Sequence, residues 1–422
     1  MTALVDDVTI PLDIANTVVD PQAYASDRAQ EAFRWLRAHN PLGLAAPDNY
    51  EPFWIVTKLD DIKEVGLNNK LYASGDRQII LTSREDMERV NAARQGQNAA
   101  KNLIQMDPPE HAKYRLITQS WFLPQNLRKI EGEVRATARR FVDRLLATGG
   151  SCDFVSTVAL GFPMNVIMTI LGVPEEDEPL MHKLTQQIFA PDEHDEHGEP
   201  AHKPNREAAV AEFAQYFSKL TDDRRRNPVG DLATVIANAQ IDGQHMQPRE
   251  TLGYYILIAT AGHDTTTNAI AGSMLSLCEN PDEFTKLKAN PALIPGLVEE
   301  SIRWTTPVKH FMRNAKQDTV LRDRKIAKGD LLMLSYYSAN RDEDVFEDPY
   351  QFRVDRTSNK QLAFGHGAHS CLGQLLARME LRILWEELLP RLKSIGLDGP
   401  ATITPLNFIN GPKSIPLKFA AS

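Results

Sequence analysis

Residues from Gln247 or Pro248 to about Glu279 form an apolar, helix-compatible run of exceptional length, and Asn280-Pro281 stops it. A helix that is apolar nearly all round has to be buried, so the chain must build a large interior around it. The middle of this run reads Ala259-Thr260-Ala261-Gly262-His263-Asp264-Thr265-Thr266-Thr267. An acid, a glycine and several threonines are costly choices for a buried helix. Gly262 omits a side chain where a planar group could lie against the backbone. Asp264 and Thr265 follow where a hydroxyl could hold water or a bound oxygen species. Threonine hydroxyls can also bond back to a carbonyl and open the helix locally, so a bend with satisfied polar groups is the plain alternative. His263 reads as an orienting or packing residue, not as a metal ligand.

A second segment carries chemistry of its own. Phe364-Gly365-His366-Gly367-Ala368-His369-Ser370-Cys371-Leu372-Gly373 places a cysteine in a glycine-rich turn before a helix-forming run from Leu375 through Leu389. The glycines permit backbone shapes and close approaches that a side chain would obstruct. A cysteine at a helix entrance is favoured as thiolate, because free amide groups there stabilise negative charge. Such a sulfur could be a structural thiol, a nucleophile or an axial metal ligand. One cysteine cannot complete a zinc or iron–sulfur site, but it can hold haem iron.

Composition narrows the class. The chain has 422 residues and three cysteines, Cys152, Cys278 and Cys371, which suggests no disulfide framework and a reducing, cytoplasmic setting. The N-terminus lacks a basic start followed by an apolar run, and no stretch reads as a membrane span. A formal charge of −9 argues against a nucleic-acid binder. One domain over 1–422 is expected, β-rich at about 40–75 plus 305–340 and helical elsewhere. Helical patterns cover 125–147, 206–226 and about Pro291 to Trp304, with another opening near Glu175. Thr319–Lys325 and Leu331–Tyr337 alternate like strands around the turn Lys328-Gly329-Asp330. Residues 76–105 and 190–206 break regularity and suit substrate lids. His194, His197 and His202 in the second segment have no compact metal-ligand spacing.

Three further sets of residues bear on the cysteine turn. Glu300 and Arg303 share a helix face at i,i+3, and Arg356 lies shortly before the turn, so a buried Glu–Arg–Arg network could brace it. His111 and Arg115 share another helix face. With Arg313 and His369 they could neutralise two carboxylates of a bound cofactor. Leu257, Thr260, Ala261, Val308, Phe311, Phe408 and Ile409 are candidates for an apolar pocket wall.

These motifs resemble those of the cytochrome P450 family. The cysteine segment matches Phe-Gly-x-Gly-x-His-x-Cys-x-Gly, the long run matches Ala-Gly-x-Asp-Thr-Thr, and Glu300/Arg303 match Glu-x-x-Arg. Within the family the chain resembles the soluble bacterial type, and its α-terpineol-hydroxylating group in particular. The resemblance implies a mainly helical triangular prism with a small β-rich N-terminal part and haem b (iron protoporphyrin IX) buried beside the long central helix. It implies that Cys371 ligates the iron, that Ala261, Gly262, Phe364 and Gly373 adjoin the cofactor, and that His111, Arg115, Arg313 and His369 hold its propionates. Asp264 and Thr265 would supply protons for dioxygen chemistry, and Glu300, Arg303 and Arg356 would brace the fold. The implied activity is a monooxygenase inserting one oxygen atom into a C–H bond of a monoterpenoid, alkyl-aromatic or aromatic hydrocarbon. Electrons would come from NAD(P)H through a flavin-dependent reductase and a small iron–sulfur ferredoxin to a monomeric enzyme. A peroxide-using enzyme or a non-catalytic haem sensor or carrier are the competing readings, and the adjacent acid and threonine weigh against both.

Overall fold

The protein is described from a computed structural model covering residues 8–75, 77–94, 102–189, 193–194, 200–202 and 206–422. Helices dominate, as expected. Those that position the site are α1 (Leu59–Leu67), α2 (Glu110–Gln119), α3 (Pro124–Leu146), α4 (Gly161–Ile170), α5 (Arg206–Arg226), α6 (Pro248–Ala261), α7 (Asp264–Glu279), α8 (Ile294–Thr305) and α9 (Gln374–Leu388). The apolar stripe Leu127, Val134, Ala138, Phe141, Val142, Leu145 buries α3 against α9. α7 packs on α8 and α9, and the approach to α8 is close: a Cβ on Gly272 would lie 2.0 Å from Thr305 Oγ1. Among the described residues no helix is long and apolar enough to cross a membrane.

A five-stranded sheet flanks the helices. Its strands are β1 (Leu42–Ala45), β2 (Phe53–Val56), β3 (Tyr72–Ala73), β4 (His310–Ala315) and β5 (Leu331–Ser335), in the order β1-β2-β5-β4-β3. Only β2 and β5 run parallel, with Leu331 opposite Phe53. Successive side chains on a strand point to opposite faces. Phe53, Ile55, Leu331 and Met333 enter one core, while Trp54, Val56, Leu332 and Leu334 enter another. Burial on both faces explains why these strands are continuously apolar.

Three expectations need correction. The long central run is two helices, because residues 262–263 depart from helix between α6 and α7. Thr319–Lys325 is not one strand but a hairpin, Thr319–Leu321 with Arg324–Ile326, turning on Arg322 and Asp323 at positive φ. The segment 76–105, read as irregular, contains a helix at Arg84–Arg94 and a short turn at Leu103–Gln105. In 190–206, Glu193–His194 pairs with Pro200–His202, and His197 lies outside the described residues.

Glu300, Arg303 and Arg356 meet in the interior. Arg303 is fully buried and forks onto Glu300 with hydrogen bonds of 2.8 and 2.7 Å. Its remaining N–H groups donate to the carbonyls of Asn340, Pro349 and Gln351. Arg356 Nε and the Arg353 backbone N–H donate to Glu300 at 3.0 Å each. Two guanidiniums, one carboxylate and several carbonyls thus partner one another. Glu300→Gln should lower the unfolding free energy by about 3–5 kcal/mol, because it leaves Arg303 buried without its counter-charge. Denaturant unfolding followed by far-UV circular dichroism measures this; an unchanged midpoint would show that the pair is dispensable.

Candidate functional site

The glycine-rich turn is shaped by contact with α1. Gly365 and Gly367 have φ of 67° and 77°. A Cβ on Gly367 would lie 1.9 Å from Gly66 O, so only glycine allows the turn to rest on that helix. Cys371 N–H donates to Phe364 O at 2.8 Å, closing the loop across its base. Cys371 is surface-accessible, while the surrounding protein is as dense as at an interior site. That combination describes the floor of a concavity. Burial pushes the thiol up, opposed by the backbone N–H groups of Gly373 and Gln374 and by Arg115 and Arg378. Arg378 lies two helical turns beyond Cys371, caps the Phe364 ring at 4.5 Å and pairs with Glu299. Sequence reasoning missed Arg378, although its spacing from the cysteine pointed to it.

Beside the cysteine, four cationic or donor side chains converge from different elements. His111 and Arg115 come from α2, Arg313 from β4 and His369 from the turn. The rings of His111 and His369 are 4.2 Å apart. Burial and neighbouring Arg313, His111 and Arg115 push His369 down to about 3. Burial, with Arg115 and Arg313 adding to it, lowers His111 as well. Both histidines keep a buried Nε2 with no hydrogen-bond partner. Asp107 is the acid nearest this group, and it is occupied by the N–H groups of Ser74 and Gly75. Buried polar groups are normally partnered, so this cluster is built for acidic groups of a ligand. An accessible thiol beside it fits the same ligand, a haem with two propionates.

The break in the central helix supplies polar groups. Thr265 Oγ1 donates to Ala261 O at 2.9 Å, and Thr260 Oγ1 to Ile256 O at 2.7 Å. His263 is buried, with Nε2 3.0 Å from Leu160 O and Nδ1 3.0 Å from Asp264 Oδ1. A carbonyl can only accept, so Nε2 carries a proton. Nδ1 thus faces the Asp264 carboxylate. Asp264 is half-exposed, and Ala261 is exposed although its helix runs through the core. That side of the helix therefore faces a cavity. Gly262 also has a packing role: its absent Cβ would point at Ile167 Cδ1, 2.9 Å away, so its smallness lets α6 lie against α4.

The candidate pocket residues fall into two groups. Leu257, Thr260 and Ala261 lie on α6. Val308 forms a bridge with Ile409, and the rings of Phe311 and Phe408 are 5.5 Å apart. The next residues of this C-terminal turn reach α7, where a Cβ on Gly411 would lie 2.0 Å from Asn268 Oδ1. Residues 95–101 of the expected lid lie outside the described residues. His310, adjacent to the pocket residues, is fully buried; its Nε2 accepts from Leu81 N–H.

Comparison with known proteins follows this geometry. Residues 49–419 match the family model for cytochrome P450. The chain is 44% identical over 420 residues to cytochrome P450-terp of a Pseudomonas species, covering 97% of this chain and 98% of the relative. It is 30% identical over 400 residues to linalool 8-monooxygenase of Pseudomonas putida, covering 94% and 97%. The crystal structure of CYP108D1 from Novosphingobium aromaticivorans superposes with a TM-score of 0.90 at 43% identity, covering 98% of this chain and 100% of that one. A Mycobacterium marinum cytochrome P450 in complex with pseudoionone superposes with a TM-score of 0.84 at 30% identity, covering 95% and 97%.

One pH effect follows from the buried histidine. Burial, with Lys309 alongside, pushes His310 down to about 3. The unfolded chain binds a proton near pH 6.5 and the folded one does not, so stability is lost as pH falls below 6.5. At pH 5 the loss from this residue is about 2 kcal/mol. His310→Gln, which keeps an acceptor for Leu81, should show a shallower fall of unfolding free energy between pH 6.5 and 5 by about one proton. Equal slopes would refute the assignment.

Proposed function

The chain belongs to the cytochrome P450 family and is a monooxygenase, and from that premise we propose that it hydroxylates a compact apolar substrate. The class is a monoterpenoid, an alkyl-aromatic or an aromatic hydrocarbon, and the electrons come from a separate ferredoxin. One observation carries the assignment of the site: four cationic or donor side chains, His111 and Arg313 buried and Arg115 and His369 half-buried, converge beside an accessible cysteine, and both histidines have an orphaned nitrogen.

In this reading Cys371 holds the haem iron as thiolate, and Gly373 and Gln374 N–H groups stabilise its charge. His111, Arg115, Arg313 and His369 bind the propionates, while Ala261, Phe364 and Gly373 border the ring. Gly262 lets α6 lie close to α4. The bound haem supplies dioxygen activation, which thiolate donation favours.

The chain's own part is the supply of protons and the shaping of the pocket. The Thr265 hydroxyl gives its hydrogen to Ala261 O, so its lone pairs are free to accept from a water in the cavity. Asp264 reaches the same cavity with its carboxylate 3.0 Å from His263 Nδ1, while Leu160 O fixes the imidazole from behind. This arrangement can deliver a proton without moving the backbone. Leu257, Val308, Phe311, Phe408 and Ile409 present hydrocarbon and one aromatic pair, with Thr260 as the polar exception, although its hydroxyl is committed to Ile256 O. Such a wall suits compact hydrocarbons and simple alcohols, in keeping with the linalool and pseudoionone attached to the names of similar proteins.

A groove of about 310 Å³ lies between α3, α8 and α9, lined by Arg128, Leu375, Arg378 and Arg382 among others. Its Arg378 also borders Cys371. We assign this groove to the ferredoxin, because it joins an apolar centre to the guanidiniums of Arg128, Arg382 and Arg378, the last of which also faces Cys371, with Glu131 and Glu299 paired to Arg382 and Arg378. The reductase and NAD(P)H act upstream of that partner.

Two experiments test the reading. Purified, reduced protein under carbon monoxide should show the strongly red-shifted band of thiolate-ligated haem, and Cys371→Ser should abolish it together with turnover; a band of the imidazole-ligated kind in the unmodified protein would sink the assignment. Thr265→Ala should retain haem and substrate binding while diverting a larger share of NAD(P)H to peroxide, and Asp264→Asn should slow turnover by about 10²-fold or more. Unchanged ratios of product to NAD(P)H in both variants would exclude the proton route.

A further inference from the structure

Lys309 is a lysine with 0% of its surface exposed, and among the described residues no ion pair is recorded for it. Its ammonium donates to Leu406 O at 2.7 Å and to Ile409 O at 2.6 Å. It also stands over the ring of Tyr24 at 4.7 Å. Its backbone joins the same knot: Lys309 N–H donates to Phe408 O at 2.8 Å, and Lys309 O accepts from Tyr337 N–H. Around it, Val308 bridges Ile409, Asn410 N–H donates to Pro307 O, and the Asn410 side chain donates to Thr305 O.

Burying an ammonium without a carboxylate is costly, and a leucine or methionine would fill this volume more cheaply. What the ammonium does that they cannot is satisfy two carbonyls of an irregular turn at once. Apart from the single Val308–Ile409 bridge, residues 404–410 lie in no helix or strand, so few backbone hydrogen bonds hold this turn in place. The turn carries Phe408 and Ile409, whose ring and side chain meet Phe311 and Val308. We propose that Lys309 is a specificity-determining positioning residue, fastening the 406–409 turn so that Phe408 and Ile409 keep one shape of the substrate pocket. The fastening is independent of the haem assignment; its effect on specificity rests on the pocket reading given above.

The clamp also titrates. Burial pushes Lys309 down to about 7. The ionisable groups facing it are Tyr24 from the Pro21–Tyr24 helix, Tyr337 behind its carbonyl, and His310 beside it on β4; the turn contributes only Leu406, Asn407, Phe408 and Ile409. Burial raises both tyrosines and lowers the histidine, so these neighbours stay neutral. Lys309 is therefore the member of this group that changes charge near neutrality. Above that point two neutral N–H bonds replace charge-assisted ones, which are about twice as strong.

The test compares pyridine with 4-phenylpyridine as ligands of the haem iron in the holoenzyme, read as Soret shifts. Pyridine needs the iron alone, whereas the rigid phenyl group also needs the pocket wall in place. Lys309→Met should reduce the preference for 4-phenylpyridine about tenfold while pyridine affinity stays within about twofold. A preference unchanged in this variant overturns the proposal. If Lys309→Met does not yield folded holoenzyme, the unmodified protein decides between about pH 6 and pH 9: a preference that falls with rising pH supports the clamp, and a flat one overturns it. Absence of any Soret shift with either ligand would instead overturn the haem-site reading.

Discussion

The carboxylate of Glu300 organises the approach to the site. It is fully buried and accepts from Arg303, Arg356, the Arg353 backbone and Asn359. A lone buried carboxylate costs several kcal/mol in lost hydration, so it is stable only while those donors converge on it. Arg303 in turn gathers the carbonyls of Asn340, Pro349 and Gln351. Asn340 then accepts from Leu362 N–H through its side chain, two residues before the glycine-rich turn begins. The irregular chain from 340 to 363 is thus hung from one ion pair, and the turn inherits its position. Close contact with α1 at Gly66 and Gly367 completes the fixing from the other side.

The site is electrostatically unfinished in a consistent direction. Arg115 and Arg313 have pKa values lowered by burial, and His111 and His369 are held neutral beside them. Concentrating desolvated donors costs folding energy unless an acidic partner binds the native state and not the unfolded one. Binding of a haem with two propionates would recover that cost, which couples cofactor uptake to stability. The buried base of the cysteine turn shows the complementary design, with N–H groups and two guanidiniums collected around one sulfur.

How much of this was legible in the sequence depends on the range of the forces involved. The cysteine turn, the amphipathic α3 and the apolar strands are local patterns, and their positions follow from periodicity and glycine placement. The mainly helical class followed from the same signals. The division of the central helix was only half legible: the threonines announced bond-back hydroxyls, but the break needs Ile167 against Gly262 and Leu160 O against His263, both contacts from a distant helix. The packing of Gly262 against α4 was hidden for the same reason, since what a missing side chain makes room for depends on a distant helix. Lys309 gave no signal at all. A lysine in an alternating segment reads as solvent-facing, and only the C-terminal turn, about a hundred residues later, supplies its carbonyls.

The break between α6 and α7 joins these themes. A continuous helix there would bury its backbone groups well but would give the cavity only a smooth, apolar side. Interrupting it at 262–263 lets Thr265 bond to Ala261 O and sets Asp264 beside the cavity, while His263 turns back to a carbonyl of α4's N-terminus. Thr265 and His263 each have a local partner, so the interruption is tied at both residues, although the buried Thr267 hydroxyl has none. The contact between His263 and Asp264 sits at the point where the helix gives up its regular bonding. Fold and site are therefore shaped by the same local compromise: the polar residues at the end of α6 and the start of α7 are those that open onto the cavity.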